Sequence, residues 1–337
     1  MITAPTIGFG DTEPRPILAN CKARRIYFSS IIVDIVFFYS NFVNMNETVT
    51  VGQAIEFIRN SLSDIYPRGE VDGFVKIIFR QLLNYESVDI LLRKDNILPE
   101  FIPDKIAKVV KDLQKRRPIQ YIFGTAYFHG HNFHVDGSTL IPRPETEELV
   151  DMIINENPDR DLSVLDCGTG SGCIAISLAI GLKFANVEAI DISEDALRVA
   201  SCNAAALKAK VRFSKQDILD MPQVSEKYDI IVSNPPYIGE CERSSMDSNV
   251  LDYEPNTALF VPDNDPLVFY RKIAEFGVTA LKPGGRIYYE INSRFPEEMR
   301  SMMTKLGYRD ISVIRDMQGL YRFLIARKEY ESEKKGR

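Results

Sequence analysis

Three glycines at alternate positions, Gly168, Gly170 and Gly172, constrain the fold of this 337-residue chain more than any other feature. They follow the apolar residues 162–167, which are typical of a buried strand, and they precede the apolar residues 173–182, which are typical of a buried helix. Glycine lets the backbone turn sharply and approach a ligand closely, and the N-terminus of the following helix presents free N–H groups. The segment therefore predicts a strand, a ligand-binding loop and a helix, as in nucleotide-binding α/β folds.

The spacing of this loop indicates which kind of nucleotide it holds. The pattern is G-x-G-x-G, whereas a pyrophosphate-binding loop has G-x-G-x-x-G, and Cys173 stands where the longer pattern would end. Asp191 comes 23 residues after Gly168, at the end of the next predicted strand, where it can accept hydrogen bonds from ribose hydroxyls. A dinucleotide is the alternative, but a nucleoside ligand without a pyrophosphate fits this spacing better.

Predicted strands and helices alternate through the rest of the chain. The segments are a helix from Glu145, a strand to Cys167, a helix, a strand to Asp191, a helix over 193–207, strands over 211–214 and 228–233, a helix over 265–281, a strand over 286–291, a helix over 296–306, and paired strands over 311–315 and 320–326. Such alternation predicts a parallel, doubly wound sheet. Ligands of these sheets bind beyond the carboxyl ends of the strands. Asp166, Asp191, Asp217 and Asn234 are all expected at that edge.

A second motif follows the strand over 228–233 and indicates the chemistry of the substrate. Asn234, Pro235, Pro236 and Tyr237 form a stiff corner, because proline fixes φ and restricts the residue before it. The Asn234 side-chain carbonyl and the Pro235 backbone carbonyl are acceptors for a neutral NH2 group, and neither proline offers a competing N–H. Tyr237 provides a flat face on which a planar group can stack. A simple strand-ending turn is the alternative, but the glycine loop upstream favours methyl transfer to nitrogen.

Several further blocks give the chain a specific resemblance. They are residues 117–124, 141–147, 253–255, 284–286 and 290–291, which read RPIQYIFG, IPRPETE, YEP, GGR and EI. With the glycine loop and residues 234–237, they resemble the release factor glutamine methyltransferases, the HemK or PrmC family of S-adenosylmethionine-dependent methyltransferases. The resemblance runs from about Met45 to about Arg327. Asn292 stands where the family usually has glycine, which weakens the last block.

The resemblance implies roles for individual residues. Gly168, Thr169, Gly170, Ser171 and Gly172 would hold the methionine part of S-adenosylmethionine, Asp191 the ribose, and Asp217 with Ile218 the adenine. Asn234 would lie beside both the cofactor and the substrate, with Pro235, Pro236 and Tyr237 completing the amide pocket. Asp166 would either orient the ammonium group of the cofactor or bond the loop backbone. Arg143, Glu145, Glu147, Glu254 and Glu290 are interpreted as structural.

The fold class expected from these observations is α/β, a Rossmann-like methyltransferase sheet with an N-terminal helical domain joined by a β-hairpin. The expected divisions are an unassigned extension over 1–44, a helical domain over 45–115, a β-hairpin linker over 116–144 and a methyltransferase domain over 145–330. Thr50 and Gln53 form a capping box that opens the first helix. Three more amphipathic stripes are interpreted as the core of a helix bundle, and the second of them carries Val88, Leu91 and Leu92. In the resembled family such a lobe docks the protein substrate.

Residues 1–44 do not resemble the family. The aromatic and β-branched run over 26–43 would suit a signal anchor, but the central Asp34 costs about 2.5 to 3.5 kcal/mol in a membrane. We therefore expect no membrane association, and the hypothesis is that Met45 is the natural start. N-terminal sequencing of the protein from its native host tests this, and a peptide upstream of Met45 would reject it.

Composition limits the partners. A net charge of −6 argues against broad electrostatic binding to a phosphate backbone, so no direct nucleic acid substrate is expected. Five cysteines without a C-x-x-C pair indicate buried, reduced thiols in the cytoplasm. The three histidines at 129, 131 and 134 lack the further ligands of a metal site, so no metal is expected. The expected partner is a peptide chain release factor, bound by a monomer. The alternatives are an adenine-amino methyltransferase acting on nucleic acid and a non-catalytic S-adenosylmethionine-binding module.

Overall fold

The computed structural model describes residues 48–158 and 161–330. The described residues divide into two compact units, with the boundary between Gln114 and Lys115. Within the described ranges, none of the helices combines the length and the apolarity needed to cross a bilayer. The expectations about residues 1–44 lie outside the described residues and remain predictions, as does the four-part division of the chain.

The first unit is helical. Its helices are α1 (Val51–Leu62), α2 (Arg68–Leu83), α3 (Ser87–Leu92) and α4 (Ile102–Gln114). The predicted capping box is present, because the Thr50 hydroxyl accepts from the Gln53 backbone N–H while the Gln53 side chain accepts from the Thr50 N–H. Helix α1 packs on α2 and α4 through side chains that are almost fully buried, among them Ile58, Leu62, Ile78, Phe79, Ile106 and Leu113.

The interpretation of one amphipathic stripe as core is wrong. Val88, Leu91 and Leu92 lie on α3, but they are 65%, 65% and 77% exposed. Helix α3 has only six residues, so it is too short to cover its own apolar face by packing along a neighbouring helix. Ile97 and Phe101, which follow α3 in the chain, are also more than half exposed. The first unit therefore presents apolar side chains to solvent.

The second unit contains a seven-stranded sheet flanked by helices. Its elements are α5 (Ile119–Phe123), β1 (Thr125–Phe128), β2 (His131–His134), α6 (Pro144–Glu156), β3 (Ser163–Cys167), α7 (Cys173–Gly181), β4 (Asn186–Asp191), α8 (Glu194–Leu207), β5 (Val211–Lys215), β6 (Tyr228–Ser233), β7 (Ile238–Gly239), α9 (Ser248–Tyr253), β8 (Phe260–Val261), α10 (Val268–Ala280), β9 (Leu281–Glu290), α11 (Pro296–Lys305), β10 (Arg309–Arg315) and β11 (Tyr321–Arg327). The strand order is β10-β11-β9-β6-β3-β4-β5. The five strands β3, β4, β5, β6 and β9 are parallel, and β11 pairs antiparallel with β9 and β10. The predicted α/β fold class is confirmed.

Alternation along the strands fills both faces of the sheet. Val164 and Ile230 belong to the cluster that packs on α6, α7 and α8, whereas their neighbours Leu165 and Ile231 belong to the cluster that packs on α10 and α11. Successive side chains of a strand point to opposite faces, so a sheet covered on both sides needs apolar residues at every position. The continuous apolar runs in the sequence have this physical cause.

The chain between the helical unit and the sheet differs from the prediction in detail. A single β-hairpin was expected over 116–144, but the segment begins with the short helix α5, and only β1 and β2 pair as a hairpin. Gly124 ends α5 in a left-handed conformation with φ of 67°, which explains why the sequence has glycine there. The elements β7, α9 and β8, between residues 238 and 261, were not predicted.

Candidate active site

A cavity of about 340 Å³ opens at the carboxyl ends of β3, β4, β5 and β6. This volume is in the range of roughly 300 to 1,000 Å³ that is usual for small-molecule sites. The chain reverses its strand order here, since β4 and β5 lie on one side of β3 while β6 and β9 lie on the other. The cavity is lined by nine of the residues expected at the site: Gly168, Thr169, Gly170, Ser171, Asp191, Asp217, Ile218, Asn234 and Pro236.

The glycine loop forms one wall of the cavity. Gly168 and Gly170 have φ of 76° and 54°, in the left-handed region that favours glycine. A Cβ at Gly170 would meet no atom within 4 Å, so the surface there is bare backbone facing open space. The Gly170 N–H donates to Asp191 Oδ2 and the Ser193 N–H donates to Asp191 Oδ1, both at 2.9 Å. Because each carboxylate oxygen has a second lone pair, Asp191 can still accept from a ligand hydroxyl.

Gly172 has a different position from the other two glycines. It lies outside the cavity lining, and a Cβ there would lie 2.9 Å from Ile176 Cδ1 and 3.0 Å from Ala200 Cβ. Its φ is 82°, and it precedes the first residue of α7. Glycine is therefore required at this position for close packing of α7 against α8.

Asp166 lies beneath the loop. It is fully buried, and its Oδ2 accepts from the Thr169 hydroxyl at 2.7 Å. Its Oδ1 has no hydrogen-bond partner among the described residues. Burial raises the pKa of this carboxyl to about 7, although the bond from Thr169 opposes the shift. These contacts support a role of Asp166 in holding the loop by hydrogen bonding, rather than in orienting the ammonium group of the cofactor.

Apolar side chains from the turns after β4 and β5 belong to the cavity lining. Ile218 is buried there, and Ile192 and Leu219 line the cavity while remaining 54% and 43% exposed. Asp217 accepts from the Leu219 N–H at 2.8 Å, which fixes the turn that carries Ile218. The sequence interpretation did not include Ile192 and Leu219, although each directly follows a residue that it had selected.

The corner after β6 forms the opposite wall. Ser233 anchors it, because its hydroxyl donates to the Cys167 carbonyl at 2.6 Å. Asn234 is partly buried and donates from Nδ2 to Thr146 Oγ1 at 3.4 Å. Pro236 lines the cavity with Asn234, whereas Pro235 is buried outside the lining.

Tyr237 also lies outside the cavity lining. Its hydroxyl donates to Glu290 Oε1 at 3.3 Å, and burial together with the Glu290 charge raises the pKa of the phenol. Its ring packs against the apolar cluster beneath the corner. Stacking of Tyr237 on a substrate group therefore remains a prediction.

Glu290, the last residue of β9, is 1% exposed. Its Oε2 accepts from the Thr146 hydroxyl at 2.7 Å. Burial raises the pKa of the carboxyl, while the bond from Thr146 and the charge of Arg322 oppose the shift. Thr146 also lines the cavity, so this buried pair touches the site through one hydroxyl. The sequence interpretation placed Glu290 among structural residues and did not single out Thr146.

A second buried carboxylate shapes the mouth of the cavity. Glu254 accepts from Arg143 Nη2 at 2.6 Å and from the Ile141 N–H at 3.2 Å. Its side chain is 1% exposed, while that of Arg143 is 33% exposed and lines the cavity. This contact joins two of the blocks that carry the family resemblance, and it agrees with the structural interpretation of both residues.

Asn203 is a contributor that the sequence interpretation missed. It lies on α8, and its Nδ2 donates to the carbonyls of Ser171 and His134, both at 2.9 Å, while its Oδ1 accepts from the His134 N–H at 2.7 Å. One buried amide thus ties the glycine loop to β2. An asparagine inside an amphipathic helix gives no local signal for this role.

Among the described histidines and cysteines, only Cys173 lines the cavity. His129 pairs with Asp151 at 2.9 Å, and the His134 ring bonds the Gly124 carbonyl at 2.9 Å. Cys167 and Cys173 are buried, but Cys202 and Cys241 are exposed, so the expectation of buried thiols is wrong for these two.

Comparison with known proteins places the chain in a family. The methyltransferase domain family matches residues 158–330. The release factor glutamine methyltransferase of Bacteroides thetaiotaomicron is 50% identical over 271 residues, which cover 80% of this chain and 97% of that protein. The release factor glutamine methyltransferase of Flavobacterium psychrophilum is 41% identical over 263 residues, which cover 77% of this chain and 92% of that protein.

Among solved structures, a methyltransferase from Pyrococcus furiosus matches 67% of this chain and 98% of its own chain, with 19% identity and a TM-score of 0.44. This structural similarity is too low to add to the family assignment. The matched regions span 97% and 92% of these two relatives, so the similarity extends over nearly their whole length. This chain therefore belongs to the release factor glutamine methyltransferase family, whose members use S-adenosylmethionine.

Proposed function

We propose that the protein transfers a methyl group from S-adenosylmethionine to the side-chain amide nitrogen of a glutamine in a peptide chain release factor. The release factor glutamine methyltransferases to which the chain is similar support this substrate. The observation that carries the proposal is that Asn234 and Pro236 face the same cavity as Gly168 and Gly170. A group held by the corner therefore lies in the same space as a ligand held by the loop.

The residues of the loop wall suit the cofactor. Bare backbone at Gly170 leaves room for the methionine part, and the remaining lone pairs of Asp191 suit ribose hydroxyls. The apolar side chains of Ile192, Ile218 and Leu219 in the cavity lining suit the flat adenine ring. When bound, S-adenosylmethionine supplies a methyl group on a positively charged sulfur.

The residues of the corner suit the amide. An amide nitrogen is a poor nucleophile because its lone pair is delocalised into the carbonyl, so the main task of the protein is to orient it. We assign Asn234 Oδ1 and the Pro235 carbonyl to the two N–H bonds of the glutamine, and Tyr237 to stacking on the amide plane. Alignment of reacting groups can supply about 7 kcal/mol or more of barrier lowering, so no strongly basic side chain is required.

The helical unit is assigned to docking of the release factor. The exposed Val88, Leu91 and Leu92 support this assignment, because apolar side chains on a surface are typical of protein contacts. We assign residues 45–115 to this docking domain, 116–144 to the linker and 145–330 to catalysis. We further propose that the protein acts as a monomer in the cytoplasm, and that nucleic acid is not its substrate, as its net negative charge supports.

Transfer of a labelled methyl group tests the proposal directly. The full-length protein is incubated with methyl-labelled S-adenosylmethionine and, in separate reactions, with release factor, with DNA and with RNA. We expect label on one glutamine of the release factor, located by peptide mass spectrometry. Label on adenine would replace the proposal with nucleic acid methylation, and binding of S-adenosylmethionine without any transfer would replace it with a binding module.

Two substitutions separate the roles of the two walls. Asn234→Ala should lower transfer at least about 100-fold while changing the affinity for S-adenosylhomocysteine less than about threefold, because it removes an acceptor for the amide. Asp191→Ala should weaken S-adenosylhomocysteine binding at least about 10-fold by calorimetry. Retention of most of the turnover by Asn234→Ala would contradict the assignment.

A further inference from the structure

We propose that Thr146 and Glu290 are positioning residues that hold the side-chain amide of Asn234 with its oxygen towards the cavity. The inference rests on the proposed function, because the direction of this amide matters only if the site receives an NH2 group. Thr146 contacts Asn234 directly, and Glu290 acts on Asn234 through its hydrogen bond with Thr146.

Glu290 can only accept hydrogen bonds when it is ionised. Its two oxygens receive the hydroxyls of Thr146 at 2.7 Å and Tyr237 at 3.3 Å. Arg322, which pairs with Asp316 at 3.0 Å, adds a nearby positive charge that favours the ionised form against the effect of burial. Burial, and to a smaller extent the charge of Glu145, raise the pKa of this carboxyl, whereas the two hydroxyl donors and Arg322 oppose the rise. We take the carboxylate as ionised, because both of its oxygens already have hydroxyl donors.

The Thr146 hydroxyl has one proton to donate. That proton is committed to Glu290, so the remaining hydrogen-bonding capacity of Oγ1 consists of lone pairs. Asn234 presents either its NH2 or its carbonyl oxygen at a distance of 3.4 Å from this oxygen. The NH2 is attracted to a lone pair, whereas the carbonyl would place two acceptors against each other.

The hydrogen bond between Asn234 and Thr146 is long and therefore weak. The preference between the two amide orientations, however, depends on the energy difference between an attractive N–H···O contact and a repulsive contact between two oxygens. The nitrogen and oxygen of an asparagine are nearly equal in shape, so packing alone does not distinguish them. The distinction must come from their hydrogen-bond partners. Thr146 and Glu290, which are 2% and 1% exposed, are shielded from water that could otherwise reverse the hydroxyl.

The orientation of the Asn234 amide decides whether the cavity offers a substrate a hydrogen-bond acceptor or a donor. With Nδ2 bonded to Thr146, the Oδ1 of Asn234 is the atom left for a substrate, and it accepts from the NH2 of a glutamine. A reversed amide would instead offer N–H donors, which suit a carboxylate such as that of glutamate. The Thr146–Glu290 pair is therefore expected to set the preference of the site for an amide over an acid.

Kinetics of matched variants test this inference. Thr146→Val has nearly the same shape but no hydroxyl, and we expect the kcat/KM for release factor to fall about 10- to 100-fold while the KM for S-adenosylmethionine stays within about twofold. Thr146→Ser keeps the hydroxyl and should recover most of the activity that the valine variant loses. Thr279→Val is the control for the same chemical change, because Thr279 lies on α10 and its hydroxyl donates to Gln223 Oε1 and the Phe276 carbonyl, away from the cavity lining.

The selectivity of the site for glutamine over glutamate distinguishes the proposed role of Thr146 from a purely structural one, which would leave this selectivity unchanged. A release factor whose target glutamine is replaced by glutamate serves as a competitive inhibitor. We expect the ratio of its inhibition constant to the KM of the unchanged factor to fall at least about 10-fold in Thr146→Val relative to the wild type. An unchanged ratio, or a serine variant as impaired as the valine variant, would overturn the inference.

A neutron crystal structure of the full-length wild-type protein decides the proton positions independently of the substrate. We expect deuterium on Thr146 Oγ1 directed at Glu290, and two deuterium atoms on the Asn234 atom nearest Thr146. Deuterium on Oγ1 directed at Asn234 would overturn the inference. Absence of methyl transfer to release factor by the wild type would instead reject the proposed function, and the neutron structure would still decide the orientation of Asn234.

Discussion

Replacement of Asp166 by asparagine should change how the stability of the protein depends on pH. Burial raises the pKa of the Asp166 carboxyl to about 7 in the folded protein, with the Thr169 hydroxyl opposing and the Asp191 charge adding to the shift, whereas its ordinary value is 3.8. Because the folded-state pKa is the higher one, the folded protein holds the proton more tightly than the unfolded chain. The stability contributed by this group is therefore complete below pH 3.8 and is lost as the pH rises through 7.

The magnitude follows from the difference between these two pKa values. A difference of about 3 units, at about 1.36 kcal/mol per unit, corresponds to about 4 kcal/mol, of which roughly 3 kcal/mol is lost between pH 5 and pH 8. Asparagine does not ionise, so Asp166→Asn should gain about 3 kcal/mol of unfolding free energy relative to the wild type over this interval.

Urea unfolding at several pH values measures this difference. Circular dichroism is the suitable probe, because the chain contains no tryptophan. Asp64→Asn, at an exposed position in the first unit, is the matched control for the same chemical change. A constant difference between Asp166→Asn and the wild type from pH 5 to pH 8 would refute the reasoning, since it would mean that Asp166 is ionised in the folded protein throughout.

Three other substitutions test packing and charge burial, each measured as the free energy of urea unfolding. Gly172→Ala should lose about 2 to 3 kcal/mol, because its φ is 82° and its new Cβ would lie 2.9 Å from Ile176 Cδ1; a loss below 1 kcal/mol would show that α7 shifts freely. Arg143→Ala should lose about 3 kcal/mol, because Glu254 stays buried without its cationic partner; equal stability would show that the carboxylate reaches water. Leu92→Ser should stay within about 0.5 kcal/mol of the wild type, and a larger loss would contradict its exposure of 77%.

The sheet and the two walls of the cavity could be predicted because their signals are local. The strand bounds at Cys167, Asp191 and Ser233 agree with the sequence interpretation, since each apolar run ends at a polar or glycine-rich turn. The order of parallel strands then brings their carboxyl ends together without any knowledge of side-chain contacts. This is why Asp191 and Asn234 could be placed at one site from the sequence.

The contacts behind the walls could not be predicted in the same way. Thr146 and Glu290 are 144 residues apart, and Asn203 reaches the glycine loop from a helix that follows it by some 30 residues. Their side chains are common at helix starts, strand ends and helix interiors, so their types carry no specific signal. Only the folded structure brings them next to Asn234 and Ser171.

The error at α3 has a related cause. Apolar residues at Val88, Leu91 and Leu92 have helical spacing, and this spacing is the same whether another element covers the stripe or leaves it in solvent. The periodicity of a segment predicts which face is apolar, but the covering of that face depends on contacts distant in sequence. For a short helix of six residues, this distinction decides between core and surface.

The cavity is assembled from four turns that follow β3, β4, β5 and β6, spread over more than sixty residues of the chain. None of these turns forms a binding surface by itself, so the two ligands can meet only after the central strands have paired in register. Enzymatic turnover should therefore disappear in denaturant together with the cooperative melting of the sheet, and a partly assembled intermediate should be inert towards both ligands. Activity is in this sense a sensitive reporter of complete folding.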